Sequence, residues 1–96
     1  MGKQYFLFRG IDCEQSVSIR EQTTTQQRAY VREAPDVKMI HGGLIYDGVD
    51  SVLGTCLILE AVSVGVVEDW LCASPFFKAG LFAQTSLERW AWTYGR

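Results

Sequence analysis

His41 is the single histidine of the chain, and Glu60 is the single charged residue in the apolar run Thr55 to Val62. An imidazole changes charge near neutral pH, and a carboxylate stripped of water accepts protons readily. These two residues therefore form the candidate catalytic acid/base pair. Each also has a structural reading. A histidine beside Gly42-Gly43 can be a hydrogen-bonded fixture near a strand end, and Glu60 can be neutralised by Arg9 or Arg20. Cys72, two residues before Ser74, is a nucleophile only if His41 reaches it from another element; otherwise it is a packing thiol. The sequence has no HExxH and no clustered carboxylates, so no metal is expected. Neither GxGxxG nor GxxxxGKS/T accompanies Gly42-Gly43, so no phosphate-cradling loop is present and no cofactor is implied.

The elements that must position these groups are set by residues 54 to 92. Thr55 to Val62 is rich in β-branched residues and Leu and suits a strand covered on both faces. Ser63 is placed to cap a helix running to about Ala73, with Val67, Trp70 and Leu71 on one stripe, and Pro75 stops it. Gly80 turns the chain. From Leu81 the pattern predicts a strand long enough to overrun the others, carrying Trp90, Trp92 and Tyr94 on one face.

Upstream, Gln4 to Ile11 sets Tyr5 and Leu7 on one face against Phe6 and Phe8 on the other, as a central strand would. Arg9 interrupts one face, as an edge charge or as an anion binder in a pocket. Ser18-Ile19-Arg20-Glu21 has capping-box spacing and predicts a helix from about Ser18 to Ala34. That helix is weak by composition, because Thr23, Thr24 and Thr25 lose rotamer freedom, so tertiary packing must hold it. Pro35-Asp36 ends it. Val37 to Tyr46 predicts a second strand, with Gly42-Gly43 marking a bulge or a close approach, and Asp47 to Ser51 is turn chemistry for a hairpin.

The element order is βαββαβ, which predicts an α+β, ferredoxin-like antiparallel sheet with two helices on one face. Two helices cannot cover both faces of a sheet whose strands are apolar on both sides. A second copy of the sheet is expected on the bare face, giving a homodimer of the dimeric α/β barrel type. A chain of 96 residues, 48% hydrophobic and 21% charged, predicts one domain over 1–96. A net charge of −2 provides no basic stripe, which excludes a nucleic-acid partner. No apolar stretch is long enough to span a bilayer and no leader pattern opens the chain, so no membrane partner and a cytoplasmic location are expected. Cys13, Cys56 and Cys72 are odd in number and lack CxxC spacing, as buried free thiols would be.

His41-Gly42-Gly43-Leu44, Glu60-Ala61-Val62-Ser63, Ser74-Pro75-Phe76, Ala79-Gly80-Leu81-Phe82 and Trp90 together resemble the pattern of the YciI-like (YCII-related) family. The resemblance covers about the C-terminal sixty residues well and the N-terminal third loosely. It implies a dimeric α/β barrel with a pocket between sheet and helices, small organic substrates such as chlorinated hydroxyquinones, and a His and Asp pair as acid and base. Here the chain departs from the family. The family's histidine falls at Thr23 counting from Arg20, or at Thr25 counting back from Gly42, and its aspartate falls at Ser74. Thr and Ser can orient a ligand by hydrogen bonds but cannot replace an acid/base pair. The candidate ligand contacts are Arg9, Arg20, Thr23, Thr25, Ser74 and Phe76. The expected function is a small-molecule-binding protein with a divergent site. The alternative is a non-catalytic dimeric assembly or ligand-sensing module.

Overall fold

The computed structural model describes residues 2–95. The chain runs β1 (Gln4–Asp12), α1 (Ser16–Glu33), β2 (Lys38–Tyr46), β3 (Val52–Ala61), α2 (Val64–Ala73), α3 (Pro75–Lys78) and β4 (Phe82–Trp90). All pairings are antiparallel, in the order β2-β3-β1-β4, so β1 and β3 are central as their two-sided apolar pattern requires. This is the ferredoxin-like arrangement, with α1 and α2 on the same face of the sheet.

The alternation along the strands divides the sheet cleanly. Phe6 and Phe8 of β1 and Leu57, Leu59 and Ala61 of β3 are buried toward the helices, where Val67, Trp70 and Leu71 of α2 meet them. Burying each large apolar side chain contributes about 1.5–3 kcal/mol, so this small layer supplies most of the stability. Tyr5, Leu7, Ile58 and Glu60 point to the opposite, open face, which no helix covers.

Several details depart from the sequence expectation. α1 begins at Ser16, not Ser18. A turn in which the Ser16 amide donates to the Cys13 carbonyl starts it early, so Ser18 and Glu21 lie inside the helix and form no capping box. Pro75 ends α2 but also opens α3 at its first turn, where its missing N–H costs nothing. Ser74 thus terminates one helix and caps the next, its Oγ accepting from the Phe77 amide at 3.4 Å. β4 stops at Trp90, no longer than β1. Trp92 folds back onto Trp90 with ring centroids 4.8 Å apart, whereas Tyr94 is 93% exposed and shares no covered face with them. The bulge in β2 falls at Ile40, between Met39 and His41, and not at Gly42-Gly43. The thiols are free but not buried, and Cys72 is exposed. Ser63 does cap α2, accepting from the Val66 amide at 3.3 Å, and Asp47 closes the β2–β3 turn by accepting from Val49 and Ser51.

α1 and α2 are locked by Tyr30, whose ring stacks on Trp70 at 5.4 Å and whose hydroxyl donates to the Trp70 carbonyl at 2.7 Å. Burial raises the Tyr30 pKa above the ordinary value of 10.0, because the phenolate would lose solvation. The folded state therefore holds this proton more tightly than the unfolded chain, and the contribution, complete below pH 10, is lost as pH rises through the folded value. Tyr30→Phe should lower stability by about 0.5–1.5 kcal/mol at neutral pH. In urea denaturation above pH 10 the variant should also lose stability less steeply than the wild type. Parallel curves would show that Tyr30 titrates alike in both states.

Candidate functional site

A cavity of about 320 Å³ lies between the sheet and the three helices, within the range of about 300–1,000 Å³ usual for small-ligand sites. Its existence follows from the composition of α1. That helix has no continuous apolar stripe, approaches α3 more closely than it approaches any strand, and is fixed by polar ties. At its N-terminal end Arg20 makes a two-pronged ion pair with Asp12 at the end of β1, Nε to Oδ2 at 2.9 Å and Nη2 to Oδ1 at 2.8 Å. Nη2 also donates to Thr55 Oγ1 of β3 at 3.0 Å, and the guanidinium lies 5.4 Å from the centre of the Phe76 ring. About two turns later Gln27 Oε1 accepts from the Phe76 amide at 3.0 Å, tying α1 to α3.

The cavity wall is mostly hydrocarbon. Phe8, Leu57 and Leu71 form the buried floor, and Phe76, Phe77 and Phe82 form an aromatic side. The Phe8 ring meets Phe77 at 5.9 Å and Phe82 at 5.5 Å. Gln27, Thr55 and Ser74 supply the neutral polar groups, with Ser74 only 1% exposed, and Arg28 and Arg32 of α1 complete the outer edge. No histidine and no carboxylate lines this cavity among the described residues. The arrangement can hold a flat apolar ring and hydrogen-bond a few oxygens. It offers no imidazole or carboxylate to move a proton.

Of the sequence candidates, Ser74 and Phe76 line the cavity, and Arg20 touches two of its walls, Thr55 and Phe76. Thr23 is buried on α1 outside the cavity wall, and Thr25 is exposed. Arg9 pairs across the sheet with Cys56 and Ser86 and is exposed on the open face. His41 and Glu60 share that open face: His41 pairs with Ile58, two residues from Glu60. Glu60 meets neither Arg9 nor Arg20 but Lys3, at 3.9 Å. The His41 ring packs edge-on against Trp92 at 5.6 Å, and no hydrogen bond or ion pair links His41 to Glu60 among the described residues. The lining residues Gln27, Arg28, Arg32 and Thr55 were not singled out by sequence. The signal available for α1 was the four-residue step from Thr23 to Gln27 and Val31.

No family model matches the chain, and no curated protein sequence matches it. Among solved structures it is similar to the 5-chloro-2-hydroxyhydroquinone dehydrochlorinase TftG from Burkholderia phenoliruptrix AC1100, solved in complex with 2,5-dihydroxybenzoquinone. The likeness has 30% identity over 91% of this chain and 93% of that one, with a TM-score of 0.79. The chain belongs to the family of that dehydrochlorinase. A second similar structure comes from Bacteroides thetaiotaomicron VPI-5482, a protein assigned as an antibiotic biosynthesis monooxygenase. At 13% identity over 97% of this chain and 91% of that one, with a TM-score of 0.61, it shows the shared fold alone. In this member of the dehydrochlorinase family, Gln27 of α1, Thr55 of β3 and Ser74 at the start of α3 line the cavity, and Arg20 contacts Thr55 and Phe76.

Proposed function

We propose that the protein is a YciI-like, cytoplasmic, single-domain homodimer that binds a small planar organic molecule, a hydroxylated ring or quinone, between its sheet and helices. The observation that carries this reading is the cavity itself, an apolar aromatic slot with a few inward polar groups at one edge. Its support from outside the chain is the 30% identical dehydrochlorinase, whose structure holds 2,5-dihydroxybenzoquinone. The ring lies against Phe76 and Phe82, and Ser74, Gln27 and Thr55 meet its oxygens. Arg20 braces Phe76 and Thr55 from behind. With Thr and Ser where the family resemblance implies His and Asp, and no acid/base group in the lining, binding or sensing is favoured over proton-transfer catalysis.

The homodimer is proposed from the open face. Half-buried Tyr5, Leu7, Ile58 and Trp90 form an apolar surface that the helices of the same chain do not reach. In this reading His41 and Glu60 lie at the junction between copies and not in the ligand slot.

Titration with 2,5-dihydroxybenzoquinone, followed by calorimetry, should give saturable binding. Val31→Trp, which fills the cavity from α1, should weaken it at least tenfold while leaving the circular dichroism unchanged. Equal affinity in wild type and variant would place the ligand elsewhere. Sedimentation equilibrium at tens of micromolar should return a dimer mass, and Leu7→Glu should return a monomer. A monomeric wild type at that concentration would remove the open face from the proposal.

A further inference from the structure

Every residue that lines the cavity is buried or half-buried except Arg28 and Arg32, which are exposed. They therefore mark the mouth. They stand one helical turn apart on α1, so their side chains project over the same stretch of the opening. Like charges at this spacing repel and weaken a helix that is already poor in helix-forming residues. No hydrogen bond or ion pair engages either guanidinium among the described residues. Asp36, which borders the adjoining groove with Arg32, makes no ion pair with it. The contrast with Arg20 is informative. Arg20, on the same helix, is neutralised by Asp12, so its charge is spent on holding the fold. In a chain whose net charge is −2, two uncompensated cations gather at the mouth of the cavity, and no carboxylate joins them there.

We infer that the cavity takes an organic anion: an aromatic acid or an ionised hydroxy-quinone whose ring occupies the apolar slot and whose charged oxygens rest on Arg28 and Arg32 at the rim. The inference rests on the cavity being the ligand site and adds to it the charge of the ligand. A guanidinium offers paired N–H donors in a plane that matches a carboxylate or the two oxygens of an enediolate, so two of them fix both the charge and the orientation of the ring. The hydrocarbon wall rejects the charged end, which forces the ring to enter first.

The test uses a matched pair of probes, β-naphthoate, ionised at neutral pH, and β-naphthamide, neutral and of the same shape. Calorimetry or probe fluorescence should show naphthoate binding at least tenfold more tightly than naphthamide at low salt. The preference should shrink as salt is added. Arg28→Gln with Arg32→Gln should bring the two affinities within about twofold by weakening naphthoate, with naphthamide affinity unchanged. Because both positions are exposed, the variant should fold like the wild type, and thermal denaturation checks this. Binding of both probes with no preference, or a preference that survives the double substitution, overturns the inference while the cavity reading stands. Failure of both probes to bind, or binding unaffected by Val31→Trp, overturns the cavity reading and this inference together.

Discussion

The structure depends on how α1, whose apolar contact with the core is confined to Tyr30, Val31 and the following Ala34, is attached to the sheet. The Arg20–Asp12 pair with its branch to Thr55, the Gln27 link to the Phe76 amide and the Tyr30 bond to the Trp70 carbonyl are polar ties to four different elements, β1, β3, α3 and α2. Such ties have fixed lengths, whereas hydrophobic contact would draw the helix down until the gap closed. The result is a helix held over the sheet with an apolar gap beneath it. Asp12, with only 4% of its side chain exposed, makes the first tie strong, since a buried charge left without its partner is costly.

The two faces of the sheet then carry different tasks. The helix face provides the core and, where α1 stands away, the cavity. The open face gathers Tyr5, Leu7, Ile58, Trp90 and the folded-back Trp92 with His41 and Glu60 at its edge. Membership of the dehydrochlorinase family fits this division, because the shared architecture spans nearly the whole of both chains.

Much of the fold was legible in the sequence. The two-sided apolar strands 4–11 and 55–62 marked the centre of the sheet, and Ser63, Pro75 and the Asp47 turn marked boundaries by local chemistry that tertiary contacts do not override. The site was legible only in part. Ser74 and Phe76 lie in a segment whose pattern is strong, and both line the cavity. Gln27, Arg28 and Arg32 were not visible because α1 shows no clear periodicity, and the face it turns to the sheet is chosen by polar partners far away in sequence. His41 illustrates the other limit. Simple alternation from Met39, which faces the helices, would put His41 on the cavity side, but the extra residue at Ile40 reverses the phase and sends the imidazole to the open face. One unpaired residue thereby decides which face of the sheet carries the chain's single histidine.

The central claim is that ligand is held between α1 and the helix face of the sheet. The most direct measurement is the set of intermolecular nuclear Overhauser effects from bound 2,5-dihydroxybenzoquinone to the methyl groups of isotopically labelled protein. The account predicts simultaneous contacts to Val31 of α1, Leu57 of β3 and Leu71 of α2, the valine and leucines of the cavity lining. Contacts to Leu7 and Ile58, on the opposite face, with none to Val31, would contradict it.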